Sequence, residues 1–369
     1  MLSDLWAKHG GKSVEAWEDE TTMKTRLFAL AAFGALIAGP ALARDVGGVG
    51  CTTPQPVRCD GEACNGAPLA DLGNAVDART GRKFWLDYPC DLKPGEKVTF
   101  ILNLHGAGSV GNWQRHYFPA SDYVQKHRLV VATPTAATVG AIGPAGGPGV
   151  RRWDAAADDA HLRNITDFVF DSFGKANIRS MWLAGHSQGG FTSSRIICSD
   201  YFKGRVHGWL SLSGGRIGQA PFVAAFGPPK PDGSPPDPRP RGAIPQGALP
   251  ACDFSHIFAV GQWEIESLPT TSPWAEKYGC GPRVRRKDIV DDKPGHVWDY
   301  ARAGYKVWGM KAAPGTAEWY VYDGCQGGRV VADVVRIDKG HTEALEPRVT
   351  EALIQLIVAA PGGKAQSGG

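Results

Sequence analysis

Short apolar runs alternate with helical patterns along this chain from about residue 84. The runs are rich in β-branched and aromatic residues, and the segments between them repeat apolar residues at three- and four-residue spacing. Apolar runs without polar alternation are typical of strands that are buried on both faces of a parallel sheet. The sequence therefore predicts an α/β fold in which helices flank a mostly parallel central sheet. The expected strands are 84–88, 98–104, 129–133, 180–184, 206–212, 256–260 and 330–337, and the expected helices are 158–173, 190–201 and 345–359.

Two long segments interrupt this alternation. Residues 227–250 contain nine prolines and little apolar content, which predicts an irregular surface loop. Residues 263–311 are expected to form a second long excursion. A chain of 369 residues is long enough for two domains, but open α/β enzymes commonly use this much chain as one. We therefore expect one α/β domain over 81–360, followed by a flexible tail over 361–369.

The N-terminal region has the pattern of an export signal. Two cationic residues precede an uncharged apolar stretch that ends in Ala41-Leu42-Ala43, which predicts a cleaved signal peptide over 23–43. The stretch is short for a helix that spans a bilayer, so no stable membrane anchor is expected after cleavage. Residues 1–22 form an acidic leader that does not fit ahead of such a signal, which makes Met23 a candidate start. The expected location is secreted or periplasmic.

All eight cysteines follow this signal. An even number of cysteines in an exported chain predicts up to four disulfides. Residues 44–80, which are rich in cysteine and glycine, are expected to form an N-terminal extension tied down by disulfides. The cysteines lie at positions 51, 59, 64, 90, 198, 252, 280 and 325.

The composition excludes several classes of protein. With 43% hydrophobic and 21% charged residues, the chain can bury a large core, so disorder over its whole length is excluded. Its formal net charge is only +3 and no window carries a run of Lys or Arg, so a nucleic-acid partner is not expected. The cysteines form no CxxC pair, and no histidine at ligand spacing accompanies Cys51, Cys59 and Cys64, so we expect no metal and no other cofactor.

The sequence Gly185-His186-Ser187-Gln188-Gly189 follows the expected strand 180–184 directly and precedes an expected helix. This G-x-S-x-G pattern is typical of a nucleophilic serine on a tight turn, where small neighbours let the hydroxyl project from the end of the strand. The helix that begins there also offers backbone N–H groups to a developing oxyanion. We therefore predict that Ser187 is the catalytic nucleophile. In the alternative, Ser187 only caps a helix.

A nucleophilic serine needs a general base, which an acidic residue orients. In the strand-turn-helix context of G-x-S-x-G, the order along the chain is serine, acid, histidine. The base therefore belongs in the loop between the last strand and the C-terminal helix. His341 has this position and is the predicted base, and His296 is the competitor.

The last expected strand, 330–337, leads to the base. The acid is expected just after the strand that comes before it, 256–260. Glu264 lies there and is the predicted acid, because a carboxylate in this place holds the imidazole in the useful tautomer. Glu266 follows two residues later and remains open. Asp323 and Asp338 are also candidates, but their positions in the chain are less usual for the acid.

Two backbone amides are expected to bind the oxyanion. The Gln188 amide is the first. The second belongs to the glycine-rich loop after the strand 98–104, where Ala107 is favoured over Gly106. Four tryptophans in expected loops are candidate walls for an aromatic acyl group or a sugar face. They are Trp113, Trp153, Trp263 and Trp298.

Taken together, these residues resemble the α/β-hydrolase superfamily and, within it, the secreted esterases grouped with feruloyl esterases, acetyl xylan esterases and polyhydroxyalkanoate depolymerases. The resemblance covers roughly residues 84–358 and implies an α/β-hydrolase fold with a disulfide between Cys280 and Cys325. The chain departs from that group at Glu264, where the group usually has Asp, and after His341, where Thr-Glu replaces Trp-Pro. The local features that carry the resemblance are Leu104-His105-Gly106, Asp158-Asp159 at a helix start, Trp274 with Tyr278-Gly279-Cys280, and Cys325 ahead of a strand that leads to Gly340-His341.

The residues and the resemblance together predict a secreted serine carboxylic-ester hydrolase that works through an acyl-enzyme. The resemblance implies a small-molecule or polymeric ester as substrate, with plant-derived or phenolic esters favoured as in feruloyl esterases. An extracellular depolymerase of polyhydroxyalkanoate or a similar polyester is the alternative enzyme. An exported binding protein that keeps the hydrolase fold without catalysis is the alternative from another class.

Overall fold

The structure is a computed structural model that describes residues 45–51, 73–140, 150–218, 249–265, 267–296 and 313–360. The leader, the predicted signal peptide, most of the proline-rich segment and the C-terminal tail lie outside the described residues, as do Cys59, Cys64, Glu266 and Trp298. All described residues belong to one compact unit. None of the described helices is both long and apolar enough to cross a bilayer.

Eleven strands pair into one sheet within the described residues, and two more form a separate hairpin. The sheet strands are β1 (Ala75–Val76), β2 (Lys83–Asp87), β3 (Val98–Leu104), β4 (Leu129–Pro134), β7 (Ile178–His186), β8 (Gly208–Leu212), β9 (Ser255–Gly261), β10 (Arg283–Arg285), β11 (Ile289–Val290), β12 (Thr316–Tyr322) and β13 (Val331–Arg336). The hairpin strands are β5 (Thr138–Gly140) and β6 (Val150–Arg152).

The centre of the sheet is parallel and both of its edges are antiparallel. The strand order is β1-β2-β4-β3-β7-β8-β9-β13-β12-β10, and β11 also pairs with β12. Strands β4, β3, β7, β8, β9 and β13 run parallel, whereas β1, β2 and the three strands beyond β13 pair antiparallel. The prediction of a mostly parallel sheet is confirmed.

Six α-helices lie within the described residues. They are α1 (Gly111–Tyr117), α2 (Val124–His127), α3 (Ala155–Phe173), α4 (Gln188–Ile196), α5 (Pro273–Lys277) and α6 (Pro347–Ala359). Helix α3 begins earlier than expected because Asp154 caps it, its carboxylate accepting the Ala156 and Ala157 amides. Helix α4 ends five residues earlier than expected, before Cys198, which is bridged to Cys252.

Helices cover both faces of the sheet. Successive residues of β3 alternate between two core clusters, so that Phe100 packs with one cluster and Ile101 with the other. Helix α3 contributes Ile165 to the first cluster, and α6 contributes Leu353 to the second. A sheet covered on both faces explains why its central strands are apolar along their whole length.

Three disulfides join distant parts of the described chain. Cys51–Cys90 ties the N-terminal extension to the end of β2, and Tyr88 strengthens this contact by donating to the Val49 carbonyl. Cys280–Cys325, the bridge that the resemblance implies, joins the segment after α5 to the loop between β12 and β13. The cross-links therefore hold the extension and the long excursion onto the sheet.

The topology is that of the α/β-hydrolase fold. The carboxyl ends of β3, β7, β8, β9 and β13 lie along one edge of the sheet because these strands run parallel. Loops at that edge are where open α/β sheets place their ligand sites. The residues that follow these five strands are His105, Ser187, Ser213, Gln262 and Ile337.

Candidate active site

Ser187 stands at the sharp turn between β7 and α4. Its backbone has φ 51° and ψ −117°, a conformation that a residue with a side chain rarely adopts. The Ser187 amide donates to the Leu212 carbonyl at 2.8 Å, which fixes the turn against the neighbouring strand β8. The turn holds Ser187 in a strained conformation, as expected for a nucleophile elbow.

The glycines around Ser187 are required by close backbone contacts. A Cβ atom on Gly185 would lie 2.3 Å from the Gly189 carbonyl carbon, and one on Gly189 would lie 2.2 Å from the Leu104 carbonyl oxygen. A Cβ atom on Gly190 would lie 2.7 Å from the Gly214 Cα atom. Any larger residue would force the helix away from the sheet, so the motif spacing follows from packing.

His341 and Glu264 form a hydrogen-bonded pair at the same edge. The His341 Nδ1 atom lies 2.6 Å from Glu264 Oε2, although the two residues are 77 positions apart in sequence. Because the carboxylate can only accept, Nδ1 carries the proton and Nε2 carries the ring lone pair that a general base needs. Glu264 lies at the end of a short turn, Gln262–Glu264, that directly follows β9.

The other sequence candidates for acid and base lie elsewhere. Asp323 pairs with Arg286 at 3.0 Å on the surface, and the exposed Asp338 contributes its backbone amide to Gln262. The His296 ring packs edge-on against His116, with ring centroids 4.9 Å apart. The structure brings Glu264 to His341 and does not bring it to His296.

His186 connects the turn at Ser187 to the loop that carries His341. Its Nε2 atom lies 2.8 Å from the His341 carbonyl oxygen, and the two imidazole rings have centroids 4.7 Å apart. Ser187 and His341 therefore lie on the same side of the molecule. Burial lowers the pKa of His186 well below its usual value, so the ring is neutral at neutral pH and donates from Nε2.

Two further residues support this arrangement. Tyr117 stacks on the His186 ring at a centroid distance of 3.8 Å, and burial raises the pKa of its hydroxyl. Ser213 follows β8 in a left-handed conformation, with φ 52°, and its hydroxyl donates to Glu264 Oε1 at 2.8 Å. The Gly261 amide donates to the same oxygen at 2.9 Å. The sequence reasoning missed Ser213, although its place directly after the strand 206–212 was a signal.

Buried ion pairs hold the loop that carries His341. The Arg336 guanidinium is paired with Glu346 at 3.0 Å and also donates to the Glu343 and Ala344 carbonyls at 2.7 Å. Burial alone would raise the pKa of Glu346, but the nearby Arg336 and Lys339 charges outweigh it and lower that pKa. Both ends of the loop are therefore fixed to the end of β13.

The two predicted oxyanion donors lie in separate segments, Gln188 at the start of α4 and Ala107 in the loop after β3. Gln188 is the first residue of α4, where backbone amides have no acceptor within the helix. Gly106 packs against Ser187, since a Cβ atom on it would lie 3.2 Å from Ser187 Cβ. Among the described residues, no acceptor contacts the amides of Gly106 and Ala107, whereas Gly108 donates to the Arg151 carbonyl at 2.8 Å.

The predicted aromatic walls have different environments. Trp113 lies in α1 and not in a loop, and its side chain is buried in the core, so it does not face substrate. Trp153 is also buried, with its indole N–H donating to the His105 carbonyl at 2.7 Å. Trp263 is partly exposed and directly precedes Glu264. Trp298 lies outside the described residues.

Comparisons with known proteins found similarity to solved structures but not to sequences. No family model matches the sequence, and no curated protein sequence matches it either. Solved structures are similar only at low identity and low overlap, so the fold assignment depends on the strand order itself.

Three of these structures illustrate the low sequence identity and the low structural similarity. A fluorophosphonate-binding serine hydrolase F of Staphylococcus aureus is 13% identical, with 50% of this chain and 75% of that chain covered and a TM-score of 0.32. An esterase of Thermogutta terrifontis with propionate bound is 13% identical, with 51% and 70% covered and a TM-score of 0.31. A Bacillus cereus carboxylesterase is 12% identical, with 49% and 70% covered and a TM-score of 0.26.

Proposed function

We propose that this protein is a serine carboxylic-ester hydrolase in which Ser187 is the nucleophile, His341 the general base and Glu264 the orienting acid. The observation that carries the proposal is the strained backbone of Ser187 at the same sheet edge as the His341–Glu264 pair. Strain of this kind is kept where the surroundings impose it, and it is common at catalytic nucleophiles.

The reaction has two halves. Ser187 Oγ attacks the ester carbonyl carbon while His341 Nε2 takes the hydroxyl proton, and the negative charge moves to the carbonyl oxygen between the Gln188 and Ala107 amides. The carbon–oxygen bond to the alcohol then breaks, and the alcohol leaves with the proton from His341. Water next attacks the acyl-serine by the same route, which releases the carboxylic acid and restores the hydroxyl.

Glu264 is suited to its role because its carboxylate is fully supported. One oxygen accepts from the Ser213 hydroxyl and the Gly261 amide, and the other accepts from His341 Nδ1. These bonds hold the imidazole in the tautomer that exposes a basic Nε2 and stabilise the imidazolium that forms. A glutamate takes the place of the more common aspartate without loss of the hydrogen bond.

We also propose that the enzyme is exported and prefers phenolic esters. Three disulfides in the described residues support an oxidising compartment, because such bonds persist outside the cytosol. A partly exposed Trp263 directly beside Glu264 supports an aromatic acyl group at this edge. Turnover of methyl ferulate, acetylated xylan and polyhydroxybutyrate film should be compared, and preference for the film would replace the phenolic substrate with the polyester.

The chemistry is tested by turnover of p-nitrophenyl butyrate. Ser187→Ala should lower kcat by at least about 10⁴-fold, because without the nucleophile only the oxyanion donors and substrate binding remain to accelerate the reaction. Ser194→Ala is the matched control, since within the described part of the chain its hydroxyl donates to the Phe191 carbonyl in the same helix and to no other group. Wild-type turnover in Ser187→Ala would remove the mechanism. A wild-type protein with no turnover of any ester would favour the exported binding protein.

A further inference from the structure

The β6 strand and the residue after it connect the two arms of the proposed oxyanion hole. One arm is the loop His105–Gly108 after β3, and the other is the start of α4 at Gln188. The Gly108 amide donates to the Arg151 carbonyl at 2.8 Å, so β6 is bonded to the first arm. Trp153, which follows β6, contacts both arms.

Trp153 is bonded to the first arm through its side chain. Its indole N–H donates to the His105 carbonyl at 2.7 Å, and its ring lies against the His105 imidazole with centroids 4.8 Å apart. His105 is itself fixed, because its Nδ1 atom donates to the Gly106 carbonyl at 2.7 Å and its Nε2 atom accepts the Ala136 amide at 2.9 Å. This pattern requires a neutral imidazole, and burial lowers the pKa of His105 to about 4.

Trp153 is bonded to the second arm through its backbone. Its amide donates to Gln188 Oε1 at 3.1 Å, and its carbonyl accepts from Gln188 Nε2 at 3.3 Å. The Gln188 side chain is therefore held from both ends of its amide group. The Gln188 backbone amide has no acceptor within the helix, because it belongs to the first turn of α4.

We propose that Trp153 is a positioning residue that sets the separation between the Ala107 and Gln188 amides of the oxyanion hole. This inference rests on the proposed function, because it concerns the transition state of that reaction. Oxyanion donors act only when they lie about 2.7 to 3.1 Å from the developing charge, so a small shift of either arm weakens catalysis. A residue that is buried and joined to both arms controls that distance without touching substrate.

The test compares Trp153→Phe with Trp209→Phe. Trp153→Phe keeps an aromatic ring against His105 but removes the indole N–H. Trp209 is also buried, and within the described residues its indole N–H has no hydrogen-bond partner. The control therefore removes the same group from a site that is not joined to the oxyanion arms.

Three quantities distinguish positioning from a structural or substrate-binding role. For Trp153→Phe, kcat on p-nitrophenyl butyrate should fall about 10- to 100-fold, a part of the loss typical for removing one donor, while KM stays within about twofold. Affinity for phenylboronic acid, whose serine adduct carries a tetrahedral oxyanion, should fall by a similar factor. Trp209→Phe should leave all three quantities within about twofold of the wild type.

Several results would overturn the proposal. A raised KM with unchanged kcat would make Trp153 a wall of the substrate pocket, and a lowered kcat with unchanged boronate affinity would place its effect outside the oxyanion hole. If Trp153→Phe does not fold, Gln188→Met removes the two side-chain hydrogen bonds but keeps the backbone amide, and the same losses are expected. Wild-type protein without ester turnover or boronate binding would overturn the proposed function as well, whereas an active wild type with an equally active Trp153→Phe would overturn only this inference.

Discussion

Two carboxylate–histidine pairs among the described residues have nearly the same geometry. In one, His341 Nδ1 lies 2.6 Å from Glu264 at the carboxyl edge of the sheet. In the other, His161 Nδ1 lies 2.7 Å from Asp77, between helix α3 and the turn after β1. In each pair a hydroxyl donates to the carboxylate, Ser213 to Glu264 at 2.8 Å and Thr80 to Asp77 at 2.6 Å.

The two pairs differ in what surrounds the second ring nitrogen. The His341 side chain is 14% exposed, and its carbonyl is bonded to His186, the neighbour of the strained Ser187. The His161 side chain is fully buried, its Nε2 atom has no hydrogen-bond partner among the described residues, and its ring packs edge-on against Phe84. A hydrogen bond to a carboxylate is therefore common to both pairs, and only access to solvent and to a nucleophile distinguishes a candidate base.

The largest expected difference in kcat is between the alanine substitutions of the two histidines. His341→Ala should lower kcat by at least about 10⁴-fold while the melting temperature changes little, because the ring acts in the chemistry. His161→Ala should leave kcat per folded molecule within about twofold but destabilise the fold by about 2 to 4 kcal/mol, since it opens a cavity and removes a partner of Asp77. Esterase assays and thermal melts of both variants measure this, and equal loss of activity in both would remove the distinction.

The sequence was sufficient for the parts of the fold that local patterns determine. The central strands and helices α3 and α6 were predicted because each buries apolar residues with its own period. Strand β12 was not predicted, because Trp319 and Tyr320 are only half-buried at an antiparallel edge and its pattern is mixed. Its pairing with β13 is a tertiary contact that no local propensity specifies.

The same division applies to the site. Ser187 was found because the glycine spacing around it is local, and the Glu264 and His341 assignments used the order of elements along the chain. The roles of Ser213 and Trp153 depend on contacts between residues that are 51 and 48 positions apart. Such contacts exist only after the strands have been placed side by side. For this reason Trp153 was expected to line the substrate pocket from a loop, whereas its side chain is buried.

Replacing the acid of each pair, Glu264 or Asp77, by its amide should give the next largest difference in kcat. Glu264→Gln should lower kcat by about 10³-fold, because an amide N–H facing Nδ1 forces the imidazole into the wrong tautomer. Asp77→Asn should leave kcat within about twofold, since that pair lies away from the edge that carries Ser187. Steady-state kinetics at neutral pH measure both, and normal turnover by Glu264→Gln would assign the acid to another carboxylate.

The smallest expected effect concerns the acid dependence of stability. Burial alone would raise the pKa of Asp77, but hydrogen bonds from four neighbours outweigh it and lower that pKa from 3.8 to about 2. The charged form is therefore favoured in the folded state, and this stabilisation is complete above the unfolded pKa near 4 and disappears as pH falls towards 2. The four neighbours are His161, Thr80, Asn164 and the backbone amide of Arg79.

Urea unfolding of the wild type and Asp77→Asn between pH 2 and pH 6 measures this effect. The wild type should be more stable by about 2 kcal/mol at pH 6, and the difference should vanish near pH 2. Asp338→Asn, which changes an exposed carboxylate, is the control for overall charge. A difference between wild type and Asp77→Asn that stays constant over the whole range would contradict the role of the ionised carboxylate.

Rapid-quench mass spectrometry of the enzyme during turnover of p-nitrophenyl butyrate tests directly whether Ser187 carries the acyl group and needs His341 to do so. We expect a butyryl group on the peptide that contains Ser187, formed in the wild type and in His161→Ala, and absent from His341→Ala. An adduct on another residue, or an equal yield of acyl-Ser187 without His341, would contradict this expectation.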